Sequence, residues 1–424
     1  MNIKSIIKSL TVLVLIGWST RISAQHSTVL LMNGFLHIGN GETIESGALG
    51  FRNGKIDLIR NALAYTPQLN EWDTIIDLHG MHVYPGFFAP NSTLGLTELD
   101  AVRATRDFEE VGEFNPHIRS QIAFNVESDV IKTVLTNGVL FTQATPRGGR
   151  VSGMSSIMSL HGWNWEDATI QANDGLHINW PAYGSSDEDL KAYRNERLEL
   201  VEFYKLALSY GMNKDVEHKT DVRLDAMRHI IDGQQRVFFH ANKAQELLDV
   251  IAFTEQFDIK YPVIVGGSES YKVLQRLKDS HVPVMLTRLH SLPVRDEDPV
   301  DLPYKLPYLL QQAGVLFCLQ NEGDMEAMHA RNIPFLAGTA VAYGLTVEQA
   351  VASVSLNTAK ILGLDTQFGS LEIGKRASIF VSKGNALDPM SHQVTHIFLD
   401  GNQIPVTNRQ MELYNNYMKK YKTK

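Results

Sequence analysis

The side chains best suited to handling a small molecule sit in short polar stretches that follow apolar runs. Pro146-Arg-Gly-Gly-Arg-Val-Ser-Gly153 places Arg147 and Arg150 on either side of two glycines. Such glycines would let backbone N–H groups approach a ligand, while guanidinium forks take a carboxylate through two bonds. Arg288-Leu-His-Ser-Leu-Pro-Val-Arg295 adds Arg288 and His290. Arg147, Arg150, Arg288 and His290 therefore form a candidate surface for a small anionic or amide-bearing ligand. The alternative is that these arginines fasten long loops by pairing with Glu98, Asp107, Glu109, Glu110 and Glu113. Cys318, between Phe317 and Leu319, reads as a small core residue, since a thiol in apolar surroundings is unreactive.

These stretches need a scaffold. Val139-Leu-Phe-Thr142, Val237-Phe-Phe-His240, Val263-Ile-Val-Gly266, Val284-Met-Leu-Thr287 and Val315-Leu-Phe-Cys-Leu319 are buried-strand candidates. Amphipathic stretches such as Ala244–Phe257 and Ser270–Asp279 lie between them. Strand and helix in alternation predict a parallel sheet covered by helices, and their number over residues 84–365 predicts an α/β fold, a (β/α)8 TIM-type barrel. On that fold the loops at the strand C-terminal ends form the active face. Residues Ser185–Gln235 predict a helical insertion that begins with a capping box, Ser185 with Glu188. At the N-terminus, short strand patterns meet Asn33-Gly34 and Asn53-Gly54, both predicted as tight hairpin turns. A β-rich passage returns after Leu371, so residues 25–83 and 366–410 predict a small β-sandwich built from both chain ends.

Composition narrows the function class. The chain of 424 residues is 44% apolar and 20% charged, which excludes a disordered chain. Its net charge of −8, with no Lys/Arg stripe to offset it, argues against a nucleic-acid partner. Lys4 and Lys8 flank the start of a short apolar run from Leu10 to Trp18, and Ile22 and Ala24 suit a cleavage site. Residues 1–24 are thus expected to be a removed signal peptide, and the protein to be periplasmic or secreted. A single cysteine rules out an internal disulfide. No later segment has the length of a membrane span.

The stretch Ile75-Ile-Asp-Leu-His-Gly-Met-His-Val-Tyr-Pro-Gly-Phe-Phe-Ala-Pro-Asn-Ser-Thr-Leu-Gly95 resembles the opening barrel strand of the amidohydrolase superfamily, most nearly its imidazolonepropionase-like group. Gly344-Leu-Thr-Val-Glu-Gln-Ala, Asn357-Thr-Ala-Lys-Ile-Leu-Gly-Leu and Gly369-Ser-Leu-Glu-Ile-Gly-Lys-Arg-Ala carry the same resemblance. It implies a hydrolase of non-peptide C–N bonds, cyclic amides or amides, in which Zn²⁺ or a similar ion activates water and a nearby acid moves the proton. The family's His-x-His pair falls here on Asn91 and Thr93, and its preceding Asp on Ala89. The fifth-strand His is matched by His240, whereas Val265-Gly-Gly-Ser-Glu269 carries none at the sixth. Near the eighth strand, Glu322 in Leu319-Gln-Asn-Glu322 stands closest to the expected acid. His240 and Glu322 are accordingly the candidate catalytic pair, and Asn91 and Thr93 candidate ligand contacts. Neutral oxygens replace imidazoles poorly on a borderline-soft cation, so with most of the ligand set missing no metal cofactor is expected. Of the 15 His, most, including His79, His82, His177, His218 and His392, lie away from the family's metal positions. Asn91-Ser-Thr93 also matches a glycosylation acceptor, read as accidental within a barrel mouth. Two functions stay open: a hydrolase, or a metal-free and catalytically inactive paralogue, a pseudoenzyme acting as a binding or partner subunit. In the second case a homo- or hetero-oligomer with a related barrel is expected.

Overall fold

The computed structural model describes residues 28–212 and 220–422. The expected signal peptide and His218 lie outside the described residues. The described residues open with five strands: β1 (Val29–His37), β2 (Thr43–Arg52), β3 (Lys55–Asn61), β4 (Thr74–Asp77) and β5 (His82–Pro85). The barrel follows as β6 (Phe87–Ser92), β7 (Val139–Ala144), β8 (Val151–Ser159), β9 (Thr169–Asn179), β10 (Arg236–Ala241), β11 (Pro262–Gly266), β12 (Val284–Leu286) and β13 (Phe317–Leu319). The chain then adds β14 (Ile379–Ser382), β15 (Val394–Leu399) and β16 (Asn402–Ile404).

The two chain ends share one sheet, as the strand patterns at both termini predict. Strand β14 pairs antiparallel with β5, stitching C-terminal to N-terminal strands. Side chains alternate across a strand, so Val29 and Leu31 enter one apolar cluster with Phe51, Val381 and Phe398, while Leu30 and Met32 pack with Trp72 on the opposite face. The two Asn-Gly pairs behave differently. Asn53 and Gly54 both have positive φ (49° and 77°) and turn β2 into β3, as predicted. Asn33-Gly34 instead lies inside β1, where the register with β2 shifts on both sides of Gly34. A Cβ at Gly34 would come within 2.7 Å of the Leu78 side chain, so this glycine serves a close approach and a bulge rather than a hairpin.

The barrel strands run in sequence order from β6 to β13. Seven are parallel to one another; β8 is antiparallel to both β7 and β9. Connection length explains the exception. A parallel crossover needs about a dozen residues or more, and residues 145–150 between β7 and β8 are too few for one. The segment read as a loop after the second strand is thus a hairpin whose far arm, Val151–Ser159, completes the barrel wall. The helical insertion is present as Asp187–Met212, Val222–Ala226 and Arg228–Ile231. Its cap is one residue later than predicted: Ser186 Oγ accepts from Asp189 N, and Asp189 returns a bond to Ser186 N. Cys318 is fully buried in β13, in keeping with a core role. Among the described residues, no helix is long and apolar enough to cross a membrane.

Candidate functional site

The mouth of the barrel, at the C-terminal ends of the parallel strands, gathers residues from four places in the chain. Asn91 and Ser92 end β6, Arg147 sits at the tip of the β7–β8 hairpin, His240 nearly ends β10, and Gln320 to Glu326 follow β13. Gly148 and Gly149 (φ 84° and 60°) form the hairpin turn that raises Arg147 over the mouth. A cavity of about 550 Å³ opens here, lined by Thr93, Asp100, Arg106, Phe108, Arg147, His240 and the segment Glu322–Glu326. His240 also borders a second, more apolar cavity of about 460 Å³ containing Trp180, Leu292, Pro293, Val294 and Leu306.

Arg147 is the hub. Its Nη1 donates to Asn91 Oδ1 at 2.9 Å, and its Nη2 donates to the Asn91 carbonyl at 2.9 Å and to Glu326 Oε1 at 3.0 Å. Glu326 Oε1 also accepts Thr93 N at 3.1 Å. The Asn91 amide then points its Nδ2 at Gln320 Oε1 (3.1 Å) and Glu322 Oε2 (2.9 Å). The first and last strands of the barrel, the two ends of the hydrogen-bonded path, are therefore joined across the mouth by side chains. Burial raises the Glu322 carboxyl above the ordinary carboxylate range, with Arg147 and the bonds from Gln320 and Asn91 opposing and Glu326 reinforcing. Buried polar atoms without a partner remain nearby: Asp100 Oδ2, Arg288 Nε, Gln320 Nε2 and Asn321 Nδ2. They are hydrogen-bonding capacity that a ligand at the mouth could meet.

Beneath His240 lies a second polar chain, inside the barrel. His240 Nε2 meets His177 Nδ1 at 2.9 Å, and His177 Nε2 meets Ser155 Oγ at 2.9 Å. Ser155 Oγ reaches Asp174 Oδ1 at 2.7 Å, and Gln143 Nε2 reaches Asp174 Oδ2 at 2.8 Å. Ser155, Gln143 and His177 are wholly buried and Asp174 nearly so. Desolvation, followed by the Arg147 charge, lowers His240 to about 3. His177 is held well below the usual range by burial, then His240 and Arg147, so both imidazoles are neutral. Burial raises Asp174 to about 6 against bonds from Ser155 and Gln143 and the charge of Arg236.

The resemblance is to the amidohydrolase superfamily. The sequence model of the Amidohydrolase family matches residues 311–408. An amidohydrolase from Thermotoga maritima shares 24% identity and a TM-score of 0.78, with 90% of this chain and 100% of that one covered. A prolidase solved with N-methylphosphonate-L-proline shares 14% identity over 89% of this chain and 99% of its own, with a TM-score of 0.54. The A. niger ochratoxinase gives 13% identity, 90% and 98% coverage and a TM-score of 0.54. No curated protein sequence matches the chain. The fold is that of an amidohydrolase-type TIM barrel.

The donor set does not suit the divalent ion that this fold implies. Asn91 Oδ1, the side-chain oxygen at the first family position, already accepts a guanidinium N–H, and Thr93 stands at the second. Arg147 places a permanent positive charge against both Asn91 and the two imidazoles. A second cation placed between Asn91 and the two imidazoles would be repelled by Arg147. Among the described residues, no group of three or more His, Cys, Asp or Glu side chains is arranged to hold a metal.

Of the residues singled out in the sequence, Thr93, Arg147, His240 and Glu322 line one cavity, and Asn91 bonds to two of them. Arg288 stands beside them, its guanidinium 3.5 Å from where a Cβ on Gly323 would be. Arg150 and His290 line neither mouth cavity. Arg150 turns to Glu196 of the helical insertion and to the Asn179 carbonyl, and exposed His290 bonds Thr339 Oγ1 at 2.7 Å. The acids expected to fasten Arg147 and Arg150 are replaced by Glu326 and Glu196, which are distant in sequence and adjacent in space. Asn91, Ser92 and Thr93 are buried, so the acceptor motif cannot be glycosylated in the folded chain. Sequence reasoning missed Gln143, Ser155, Asp174, His177 and Glu326. The available signal was a polar residue in an otherwise apolar strand, as in Thr142-Gln143 and Leu176-His177.

Proposed function

We propose that the protein is an exported, metal-independent binding protein built on an amidohydrolase-type barrel, and that its mouth takes a small amide-bearing molecule. The observation that carries this reading is Arg147, whose guanidinium stands against the family's first ligand position and is spent on Asn91 and Glu326. An anion would have to compete with Glu326 for Arg147 and would face Asp100, Glu322 and Asp324 around the same cavity. An amide suits the lining better, because it both donates and accepts without bringing charge into a confined space. The adjoining apolar cavity gives room for a hydrocarbon portion of the ligand.

The second reading is hydrolysis of an amide-type C–N bond, the class that the resemblance implies. It is favoured by Glu322, a carboxyl with a raised pKa at the cavity wall, where an acid could protonate a leaving nitrogen. One experiment separates the two. Mature protein is purified, dialysed with and without Zn²⁺, analysed for bound metal, and assayed for release of product from a panel of amides and lactams. The expected result is no stoichiometric metal, no turnover and saturable binding of at least one amide. Stoichiometric Zn²⁺ with turnover abolished by Glu322→Gln would overturn the binding-protein reading in favour of the hydrolase.

A further inference from the structure

The polar chain beneath His240 has a direction, and one backbone amide sets it. Asn91 N–H can only donate, and it donates to Gln143 Oε1 at 3.0 Å. That assigns the two ends of the Gln143 amide, so its Nε2 donates to Asp174 Oδ2 at 2.8 Å and reaches Ser155 Oγ at 3.2 Å. Ionised Asp174 can only accept, so the single Ser155 hydroxyl proton goes to Asp174 Oδ1 at 2.7 Å. Ser155 Oγ is left with lone pairs for His177, and His177 Nε2 must carry its proton to donate there. A neutral imidazole has one N–H, so His177 Nδ1 is bare and accepts from His240 Nε2–H. By the same count His240 Nδ1 is bare. It is the remaining ring nitrogen of a side chain that borders both mouth cavities.

We propose that Asp174, Ser155 and His177 are positioning residues that hold His240 in its Nε2–H form, making His240 Nδ1 a dedicated acceptor for an N–H donor on the ligand. This assignment rests on the mouth being a ligand site, and it adds the polarity of the contact: the ligand must present a donor at His240. The juxtaposition is costly to bury unless every member is satisfied. That explains why an acid, a hydroxyl, a carboxamide and two imidazoles occur together inside an otherwise apolar barrel wall. A two-residue slip makes the placement available: Ser155 faces Gly175 while Ile157 faces Gln171, so β9 carries two extra residues there. Asn173 takes φ 50° within that bulge, and Asp174 is brought to Ser155 along with His177.

The test is ring-nitrogen NMR on full-length mature protein at pH 7.5, combined with binding of 2-pyrrolidinone and N-methyl-2-pyrrolidinone as probes. The wild type should show His240 with a protonated Nε2 and an unprotonated Nδ1. Asp174→Asn can donate where the carboxylate accepted, so it should reverse the chain and move the His240 proton to Nδ1. Ser155→Ala, which breaks the chain, should give averaged tautomers and serves if Asp174→Asn does not fold. The wild type should bind 2-pyrrolidinone about tenfold more tightly than its N-methyl form, the worth of one hydrogen bond to a confined acceptor. That preference should vanish in Asp174→Asn. A wild-type His240 protonated at Nδ1, or a tautomer unchanged in both variants, overturns the positioning role. A correct tautomer with neither probe bound tells instead against the mouth as an amide site.

Discussion

Among the described residues, two histidine pairs share one hydrogen-bond length in different settings. At the barrel mouth, His177 and His240 meet at 2.9 Å; where the sheet of the chain ends meets the barrel, His37 and His82 also meet at 2.9 Å. Each pair is stacked on an aromatic ring, His177 on Phe238 at 4.6 Å and His37 on Tyr84 at 4.1 Å. They differ in what lies at the ends. The His37 pair terminates on the Glu348 carboxylate at 2.7 Å and borders neither mouth cavity, so its bonds tie the end sheet to a barrel helix. The His177 pair terminates on a serine hydroxyl at one end and an open ring nitrogen at the other, under the charge of Arg147. A carboxylate at the end makes an imidazole pair a clamp. On the reading proposed above, the pair beside the guanidinium instead turns a ring nitrogen towards a ligand.

Breaking the charged neighbour of each pair should separate these roles. Arg147→Ala leaves the mostly buried Glu326 carboxylate without its ion-pair partner and Asn91 Oδ1 without its donor. A loss of about 2–4 kcal/mol is expected in urea unfolding, somewhat under the cost of orphaning a fully buried charge. The same variant should raise the NMR titration point of His240, since the Arg147 charge helps lower it. Glu348→Ala at the other pair should cost about 2 kcal/mol, the loss of a charge-assisted bond, and leave ligand binding at the mouth intact. It should also move His82 further down, because burial and His37 lower it while Glu348 opposes them. Ligand binding weakened by Glu348→Ala would show that the two pairs do not have separate roles.

The buried polar chain also makes stability depend on pH. His240 has a folded pKa of about 3 against an unfolded value near 6.5. Between those values the unfolded chain binds more protons, so this term stabilises fully above pH 6.5 and is lost as pH falls towards 3. Asp174 has the opposite sign: folded at about 6 and unfolded near 3.8, it binds more protons when folded. Its contribution therefore declines as pH rises from 3.8 to 6. The two slopes, each up to about 1.4 kcal/mol per pH unit, partly cancel between pH 4 and 6. Asp174→Asn removes one of them, so urea midpoints of that variant should fall more steeply from pH 6 to 4 than those of the wild type. The smallest effect belongs to Arg150→Ala. Its partner Glu196 is more than a third exposed, so the loss should stay under about 1 kcal/mol, with ligand affinity unchanged in calorimetry.

Much of this architecture is legible in the residues. Runs such as Val-Phe-Phe-His240 and Val-Ile-Val-Gly266 have the length and composition of buried parallel strands, and the structure places them side by side. The capping signal of the insertion and the Asn53-Gly54 turn are local features, set by side-chain and backbone sterics within a few residues. The replacement of imidazoles by Asn91 and Thr93 is likewise visible at once, and it points to the altered mouth. The reversed strand β8 is less visible, because its cue is the shortness of the segment before it rather than its own pattern.

The network itself could not be read from the chain. Asn91 bonds residues 52 to 231 positions away, and spacing alone does not say which acid meets Arg147. His177 looks unremarkable in sequence because its meaning comes from Ser155, Asp174 and His240, which only the bulge in β9 and the β9–β10 register bring together. Local propensity and residue identity suffice for most strands and helices and for the Asn and Thr that stand where the resembled family has histidines. Which polar groups satisfy one another is settled by folding alone, because a buried hydrogen bond is specified by position in space and by the absence of water to take its place.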